Sequence, residues 1–565
     1  MILSNDKLDK ALRLDEKAHV ENQLLDQLEK LGWTVLRLEQ KQEAQQSFRQ
    51  HFGQVVLLPK LEEALRKINP FLRDEQVAEV ARRITTFSQK NLIENNRQVL
   101  QYLLENTTVS VNHETGQASP TVRFVDFQNR ANNSFIAISQ FKVKIPGTDH
   151  HIVPDIVLFL NGLPIAVIEC KSPKVKEPIA EAIDQMLRYS QQRGEGPEGN
   201  SELFYYNQFI VATCRQEAKF GTITTHIPKH FFRWTDPYPL TLDDLPHEGT
   251  SPNDQQRLVA GMCSKDNLLD LLQSYTIFST NAKGKTIKVV ARYQQFRAVK
   301  LTVKRLLEGK NRTERSGIIW HTQGSGKSLT MIFMVREMRQ HLALAGWKVV
   351  FVTDRTQLQD QLSETSQGIG QTVKVADSIK TLKELIRNDA SDLVMAMMQK
   401  FQDRDLKEIF PLLNPSEKIL LMIDEAHRTQ YKLLGANLDR AMPQAARVAY
   451  TGTPIDRTET TFGDYIDKYT MRQSIADGTT LESRCPFKTT CHYIPFISNP
   501  EGGASPSCQV TAYPLPPNGY LIVKYLFLAI RGALRNWNED LPRQRVATLV
   551  DIIPKTAISL GCSLS

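Results

Sequence analysis

The chain has 565 residues, 41% of them apolar, so we expect more than one domain with a buried core. Its net charge of +8 suits a polyanionic partner without requiring one. The first residues have no apolar signal core, and the longest apolar run near the end is too short to cross a bilayer. The seven cysteines have no metal-ligand spacing. These features predict a cytoplasmic protein.

The first 110 residues have the pattern of charged helices. Leu24, Leu25 and Leu28 share one helical face with Glu21, and further helix is predicted on both sides of Pro70. Two later stretches, residues 121–127 and 134–138, have the composition of β-strands. The region therefore mixes helices and strands.

A hairpin pattern occupies residues 153–171, where two apolar runs flank Asn161 and Gly162. A three-residue loop would place Asp155 opposite Glu169 on one face of the sheet. A two-residue loop would break this pairing, because a slip of one residue moves a side chain to the other face. The two carboxylates therefore predict the three-residue loop.

Charged side chains gather at the end of this hairpin. Glu169 and Lys171 are two residues apart, so a strand points both to one face and Cys170 to the other. Mg²⁺ held by Asp155, Glu169 and the Cys170 carbonyl would offset the cost of burying these charges. Lys171 would then orient or deprotonate a water that attacks a phosphodiester. The pattern is similar to that of PD-(D/E)xK nucleases; the alternative is an exposed strand end with a Glu/Lys pair.

A predicted helix after the hairpin places Gln185 and Tyr189 four residues apart on one face. From this spacing alone, a half-buried tyrosine beside a polar neighbour is the favoured interpretation. A polar, proline-rich stretch (236–253) then leads to a helical pattern at residues 267–274. We place the domain junction here, with a first domain at residues 1–265.

The second half of the chain alternates apolar strands with helical patterns. This predicts parallel βαβ units with both faces of the sheet covered. Ligands of such sheets bind at the carboxyl ends of the strands. The predicted strands are residues 317–320, 348–353, 393–397, 419–423 and 447–450.

A glycine-rich loop follows the first of these strands and precedes a helical pattern. Backbone N–H groups of such a loop close around phosphate oxygens, Lys327 would bring a positive charge to the β- and γ-phosphates, and Ser328 would reach Mg²⁺. His321 stands where the usual pattern has its first glycine. A simple Gly/Ser turn before a surface helix is the alternative. The candidate nucleotide-binding residues are Thr322, Gln323, Gly324, Ser325, Gly326, Lys327 and Ser328.

Further candidates follow later strands or precede the loop. Asp424 ends an apolar strand, where it can hold Mg²⁺, and Glu425 would accept a proton from the water that attacks the γ-phosphate. His427 completes this Asp-Glu-Ala-His motif. Residues 292–296 could stack on and hydrogen-bond an adenine, and residues 451–454 could report the γ-phosphate state to nucleic acid. A cap or a turn is the alternative for these two segments.

Together, these motifs resemble the restriction subunit of type I restriction–modification enzymes over residues 10–481. The resemblance implies an α/β chain with a PD-(D/E)xK nuclease domain, followed at residues 266–481 by a RecA-like parallel-sheet lobe of a superfamily 2 helicase. In that family a histidine at the position of His321 is ordinary. The most specific segments are the hairpin, the glycine-rich loop, Asp354-Arg355 with Leu358 and Gln361, Asp-Glu-Ala-His, and Thr-Gly-Thr-Pro.

The resemblance also implies roles that the pattern leaves open. Gln185 and Tyr189 match a Q-x-x-x-Y element that acts at the nuclease site. Gln295 matches an adenine-reading glutamine, with Gln294 as an adjacent alternative. Glu21 matches an acidic residue that some such nucleases carry on the first helix.

The function implied by the resemblance is ATP-driven translocation of double-stranded DNA and Mg²⁺-dependent cleavage, with ATP and Mg²⁺ as cofactors. Separate specificity and methyltransferase subunits are the implied partners. Two alternatives stay open. One is a repair helicase–nuclease that acts alone, and the other is a non-catalytic fragment that binds DNA or ATP.

Residues 482–565 depart from this pattern. They hold four of the seven cysteines and nine of the 27 prolines, and no βαβ rhythm is visible. A motor of this kind needs a second RecA-like lobe, because ATP lies between two lobes. We therefore expect a truncated product with a frame-shifted or disordered tail and weak ATP turnover; the alternative is a divergent second lobe, for which the tail is short.

Overall fold

The computed structural model describes residues 12–13, 15–39, 41–246, 250–281, 284–353, 373–388, 390–397, 409–424, 429–453 and 462–480. All of them belong to one compact unit, residues 1–484. The tail at 482–565 lies outside the described residues, so its interpretation stays a prediction. Among the described residues, no helix is both long enough and apolar enough to cross a membrane.

The structure combines α-helices with β-strands along its whole described length. The α-helices are α1 (Asn22–Lys30), α2 (Leu58–Ile68), α3 (Asp74–Thr85), α4 (Leu92–Glu105), α5 (Pro178–Tyr189), α6 (Asp254–Cys263), α7 (Lys265–Ser274), α8 (Tyr293–Glu308), α9 (Arg312–Arg315), α10 (Lys327–Gln340), α11 (Leu342–Ala345), α12 (Ile379–Arg387), α13 (Thr429–Ala441) and α14 (Met471–Ala476). The strands are β1 (Thr34–Leu36), β2 (Thr107–Thr108), β3 (Thr121–Val122), β4 (Phe135–Ser139), β5 (Val143–Lys144), β6 (His151–Ile152), β7 (Ile156–Leu160), β8 (Leu163–Cys170), β9 (Phe209–Thr213), β10 (Ala218–Gly221), β11 (Phe232–Arg233), β12 (Thr276–Thr280), β13 (Thr286–Val290), β14 (Gly317–His321), β15 (Lys348–Thr353), β16 (Val373–Ala376), β17 (Leu393–Met397), β18 (Ile419–Asp424), β19 (Ala446–Thr451) and β20 (Tyr465–Tyr469).

Seven strands form the N-terminal sheet, in the order β1-β4-β7-β8-β9-β10-β11. At its centre β7 and β8 pair antiparallel, and β8 runs parallel to β9. Every residue of β7 and β8 is buried, which explains why the sequence has continuous apolar runs here instead of an alternation. The polar residues at the ends of these strands are therefore held by an apolar frame.

The hairpin turn differs from the predicted one. Leu160 pairs with Leu163, so the loop consists of two residues, Asn161 and Gly162. Both have positive φ values (51° and 81°), the conformation that an Asn-Gly pair adopts readily in a two-residue hairpin turn. The predicted three-residue loop is therefore wrong.

A bulge restores the predicted opposition of the two carboxylates. Pairing shifts by one residue between Leu158 and Phe159, which leaves Ile165 as an extra residue on β8. The shifted register, continued by one residue beyond β7, places Asp155 opposite Glu169. The bulge therefore produces the alignment of Asp155 with Glu169 that the three-residue loop was predicted to produce.

The second sheet has seven strands, in the order β16-β17-β15-β18-β19-β14-β20. Every strand pair in it is parallel. The five predicted strands are present, and the predicted α/β fold class is confirmed. The sequence analysis misses β16 and β20, because their partly exposed, charged strands lack a continuous apolar run.

Residues on the two sides of the predicted junction pack in one continuous core. Lys288 on β13 anchors the β12–β13 hairpin to the N-terminal part. Its Nζ donates to Asn96 Oδ1 (2.6 Å), Gln208 Oε1 (2.7 Å) and the Asn207 carbonyl (3.0 Å). Burial lowers the pKa of Lys288 well below its ordinary value. A domain boundary at residue 265 stays a prediction.

Gly162→Ala is expected to destabilise the fold more than Gly116→Ala. Both glycines have a positive φ, which disfavours alanine. At Gly162 a Cβ atom would also lie 2.7 Å from Leu57 O and Leu61 N, whereas nothing lies within 4 Å at Gly116. We expect an extra loss of about 1–3 kcal/mol in the free energy of unfolding, measured by chemical denaturation. Equal losses in the two variants would contradict the close packing at the turn.

Candidate active sites

Three charged residues meet at the carboxyl end of β8. Asp155 precedes β7, Glu169 lies near the end of β8 and Lys171 follows it, and their exposed fractions are 7%, 0% and 6%. Lys171 Nζ donates to Glu169 Oε1 and to the Cys170 carbonyl, each at 3.0 Å. The Cys170 N–H donates to Asp155 Oδ2 (2.8 Å). The burial of all three side chains excludes an exposed strand end.

Two residues that the sequence analysis misses support this cluster. Gln140 Nε2 donates to Asp155 Oδ1 (3.2 Å) and to Glu21 Oε2 (3.0 Å), which brings Glu21 to the site. Glu16 Oε2 accepts a hydrogen bond from the N–H of Ser172 (3.1 Å). Neither residue stands in a recognisable motif. Only the tertiary fold brings Glu16, which precedes α1, and Gln140, which follows β4, to this point.

Helix α5 contributes Gln185 and Tyr189 to the same site. The Gln185 amide donates to the Tyr189 hydroxyl, which donates in turn to the carbonyl of Val153 (3.2 Å). Val153 lies two residues before Asp155, so the tyrosine holds the segment that presents this carboxylate. This contact favours the family-based interpretation of the Gln/Tyr pair over a tyrosine that only packs.

A cavity of about 610 Å³ lies over the cluster and opens to the surface. Both helix α5 and the N-terminal segment contribute to its wall. The lining includes Glu16, Glu21, Asp155, Lys171, Gln185 and Tyr189.

Burial and mutual repulsion disfavour the ionised carboxylates. Burial, followed by the charge of Asp155, raises the pKa of Glu169 well above its ordinary value, and burial also raises the pKa of Asp155. The same two causes raise the pKa of Glu21 to about 8 and the pKa of Glu16 to about 7. Burial acts to lower the pKa of Lys171, but the charges of Glu169 and Asp155 outweigh it and raise this pKa. The excess of acidic groups therefore favours a bound cation.

The donor set fits a hydrated Mg²⁺ ion. Glu169 Oε2 and Glu21 Oε1 are buried and have no hydrogen-bond partner among the described residues. No group of three or more His, Cys, Asp or Glu within the described ranges could hold a metal ion by itself. Mg²⁺ commonly uses one or two carboxylates and keeps several waters, so Asp155 and Glu169 suffice for it.

The glycine-rich loop connects β14 to α10, as the sequence predicts. Gly324 and Gly326 have left-handed φ values (84° and 86°), and Lys327 is the first helical residue. Free N–H groups at such a helix start bind phosphate. Lys327 is 4% exposed, and its Nζ donates to the His321 carbonyl (3.4 Å). Of the other loop residues, Thr322 and Ser325 are buried, Ser328 is half-buried and Gln323 is exposed.

His321 occupies the first position of the loop for a structural reason. Its ring is fully buried, and its Nε2 lies 2.7 Å from Asp467 Oδ2 on β20. Arg297 Nε donates to Asp467 Oδ1 (2.7 Å), and Arg297 also pairs with Asp236. Burial acts to raise the pKa of Asp467, but the hydrogen bond from His321 and the charge of Arg297 lower it. We call His321, Asp467 and Arg297 the buried triad; it ties the loop to the edge of the sheet.

The structure distinguishes the two adjacent glutamines. Gln295 Nε2 donates to the Gly326 carbonyl (3.0 Å), so this side chain contacts the loop. The Gln294 side chain is buried and makes no hydrogen bond with the described residues. The contact with the loop favours Gln295 as the residue beside a bound nucleotide.

An arginine and an aromatic ring join the loop to the N-terminal sheet. Arg292 Nη2 donates to the Gly324 carbonyl (3.4 Å), and its guanidinium lies 4.6 Å from the ring centre of Phe232 on β11. The neighbouring Arg233 donates to the Ala476 carbonyl (3.2 Å). The edge of the N-terminal sheet therefore touches the candidate nucleotide site, which no sequence pattern predicts.

Asp424 is the last residue of β18, so it lies at the carboxyl ends of the parallel strands, as the glycine-rich loop does after β14. Tyr450 of β19 pairs with Asp424 on one side and with Ile319 on the other, so a single strand separates the two motifs. Gly452, which follows β19, lies beside Lys327, since a Cβ atom placed on Gly452 would be 3.4 Å from Lys327 Nζ.

Other predicted residues lie outside the described part of the chain, namely Glu425, His427, Asp354, Arg355, Leu358, Gln361 and Pro454.

Two known families match separate parts of the chain. Residues 13–228 match the N terminus of the type I restriction enzyme R protein. Residues 294–491 match the SWI2/SNF2 ATPase family. The first match covers the carboxylate cluster, and the second covers the glycine-rich loop and Asp424.

Curated relatives match across both parts. The HindI endonuclease subunit of a type I restriction enzyme from Haemophilus influenzae is 30% identical in an alignment of 490 positions, and the match covers 82% of this chain and 45% of the relative. A Methanocaldococcus jannaschii protein, provisionally named the MjaIXP endonuclease subunit, is 28% identical over 504 residues (85% and 47%). The SauCOLORF180P endonuclease subunit of Staphylococcus aureus is 25% identical over 478 residues (82% and 46%). The chain spans about half the length of these relatives.

Asp467→Asn is expected to lower the free energy of unfolding by about 2–3 kcal/mol, because charged hydrogen bonds of the buried triad are lost. Asp464→Asn is the matched control, since Asp464 is exposed on the same edge of the sheet and should change stability little. Denaturation of both variants measures the difference. The pKa of Asp467 is lowered in the folded chain, so the difference should be full above about pH 4 and should shrink in more acidic buffer. Equal stability of the variants would contradict the triad's role.

Proposed function

The chain is a relative of the endonuclease subunits of type I restriction enzymes, and from this premise we propose that it is a DNA-cleaving subunit with an ATP-binding motor lobe. Residues 1–265 would form the nuclease and residues 266–481 the motor lobe. The observation that carries the proposal is the buried cluster of Asp155, Glu169 and Lys171, of which Asp155 and Lys171 line the cavity. Such a cluster is costly for stability unless it binds a cation and acts on an anionic substrate.

The nuclease reaction would be hydrolysis of a phosphodiester. Asp155, Glu169 and the Cys170 carbonyl would hold Mg²⁺, which when bound acts as a Lewis acid on the scissile phosphate. The Lys171 ammonium lies 3.0 Å from Glu169 Oε1, where it can orient the attacking water. Tyr189, held by Gln185, fixes the segment before Asp155, and Gln140 fixes Asp155 against Glu21.

The motor lobe would bind ATP at the loop between β14 and α10. Lys327 and the N–H groups of residues 322–328 would contact the phosphates, and Gln295 would contact the adenine. Ser328 and Asp424 would hold the magnesium ion of the nucleotide, with Glu425 as the residue that positions water and His427 beside it. The support for this assignment is that Lys327, Gln295 and Asp424 lie around one edge of one parallel sheet.

Translocation of double-stranded DNA, and assembly with specificity and methyltransferase subunits, complete the proposal. They follow from the resemblance to the restriction subunit of type I restriction–modification enzymes, which the relatives named as endonuclease subunits and the two matching families support. In such an assembly the partner subunits supply sequence recognition, and this chain supplies the nuclease and the first lobe of the motor. Cytoplasmic localisation belongs to the same proposal.

Asp155→Ala is expected to reduce DNA cleavage by at least about 100-fold, because it removes a proposed metal ligand. Lys327→Ala is expected to weaken binding of a fluorescent ATP analogue by about tenfold or more. Each variant serves as the other's control, since Asp155→Ala should keep ATP binding and Lys327→Ala should keep the metal site. Cleavage at the parent rate by Asp155→Ala would contradict the proposal, and efficient cleavage without partner subunits would favour a nuclease that acts alone.

Glu21→Gln is expected to flatten the pH dependence of stability without metal. Glu21 ionises near pH 8 in the folded chain and near pH 4 when unfolded, so the folded state binds more protons between these values and loses stability as pH rises. Melting temperatures from pH 6 to pH 9 in EDTA measure this decline, and Mg²⁺ should offset it in the parent. The exposed Glu39→Gln is the control, and an unchanged slope in Glu21→Gln would contradict the charge surplus at the site.

A further inference from the structure

A positively charged hairpin leads into the nuclease cavity. Strands β5 and β6 pair antiparallel, and residues 142–152, which we call the basic hairpin, carry two lysines and two histidines against one acidic residue, Asp149. Lys144 and His150 are exposed, while Lys142 and His151 are half-buried. Asp149 lies 3.4 Å from Lys144, so this ion pair is open to solvent and weak. A net positive charge remains on the hairpin.

Two cations and a histidine surround one aromatic ring; burial and the charges of Lys142 and Lys144 lower the pKa of His151, so this histidine adds no positive charge near neutral pH. Phe52 is half-buried, and its backbone carbonyl accepts a hydrogen bond from the Lys144 N–H (2.9 Å). Lys142 Nζ lies 4.9 Å from the centre of its ring, and the His151 ring meets it edge-on at 5.6 Å. The Arg49 guanidinium approaches the same ring at 5.6 Å. Cations gathered around an aromatic ring are typical of surfaces that follow a nucleic-acid strand.

Arg49 adds a positive charge without a counter-charge. It is 3% exposed and lies 3.7 Å from the ring centre of Phe141. Its Nη1 donates to the Gln54 carbonyl (2.9 Å) and its Nε to Ser47 Oγ (2.8 Å). Its Nη2 has no hydrogen-bond partner among the described residues. Burial without a carboxylate lowers the pKa of Arg49 to about 9, so a nearby anion would stabilise its charged form.

The basic hairpin is continuous with the nuclease cluster. His151 and Val153 line the cavity, and Asp155 follows them in the chain. On the other side of the hairpin, Phe141 follows Gln140, which donates to Asp155. A DNA strand lying across the hairpin would therefore reach the carboxylates within a few nucleotides.

We propose that the basic hairpin binds the phosphate backbone of the DNA strand that enters the nuclease cavity, with Phe52 and the buried Arg49 supporting the hairpin from below. This inference rests on the proposed nuclease function and names the surface that holds its substrate. Lysines contact phosphates without reading sequence, which suits an enzyme whose recognition is supplied by other subunits.

The test is the double variant Lys142→Ala/Lys144→Ala in the full chain. Binding of a fluorescent DNA duplex is measured by anisotropy in EDTA over a series of salt concentrations. We expect affinity to fall about tenfold at low salt and the slope of log Kd against log salt to fall by about 1.8, since each phosphate contact contributes about 0.9. Cleavage should slow at limiting DNA and recover at saturating DNA, because the hairpin binds the substrate without touching the reacting atoms.

Two controls make the result specific. Lys30→Ala/Lys90→Ala removes the same charge from exposed lysines elsewhere in the N-terminal part and should keep the parent salt slope. Lys142→Arg/Lys144→Arg keeps the charge and should retain most of the affinity. A slope in Lys142→Ala/Lys144→Ala equal to that of the Lys30/Lys90 control would overturn the inference. If the parent itself neither binds nor cleaves DNA while remaining folded, the proposed function fails as well, which separates the two outcomes.

Discussion

The N-terminal part of the structure buries more negative than positive charge, and the arrangement of its candidate site follows from this imbalance. Asp155 and Glu169 share one ammonium group, that of Lys171, at the end of two apolar strands. Strands β7 and β8 bury these charges on the protein side, so water approaches them from the side of the cavity. Gln140 holds Asp155 beside a further carboxyl group, that of Glu21. The fold thereby keeps a surplus of acidic groups at a fixed point, where a bound cation would favour their ionised forms.

The part of the chain around the second sheet has the opposite arrangement, a largely buried group of charges in which Arg297 balances Asp467. His321 and Arg297 both contact Asp467, and Arg297 reaches Asp236 in the segment before the predicted junction. These contacts connect the start of the glycine-rich loop with the N-terminal part. Arg292 makes a second connection through the ring of Phe232. The N-terminal part and the part around the second sheet are therefore in direct contact beside the candidate nucleotide site.

The sequence predicts most of the second sheet, because five of its strands are continuous apolar runs followed by polar residues. It also predicts that Asp155 faces Glu169, since charges at strand ends limit the possible registers. It does not predict Gln140 or Asp467. Asp467 lies 146 residues from its partner His321 on a partly exposed strand, and only the folded chain brings them together. The roles of the site residues stay proposals.

Because of the extra residue Ile165, the turn can take one form while the strand ends keep another register than a regular hairpin with that turn would give them. The turn at Asn161 and Gly162 is free to take its preferred two-residue form, while the strand ends keep the alignment that brings the carboxylates together. Removal of Ile165 would let Ala166 follow Pro164 directly and still pair with Leu158, so Asp155 would stay opposite Glu169 without a bulge. Straightening the bulge while keeping Ile165 would instead place Asp155 opposite Ile168 and turn Glu169 to the other face. One extra residue in the turn and one on the strand give the same alignment, so a relative with a three-residue turn would need no bulge.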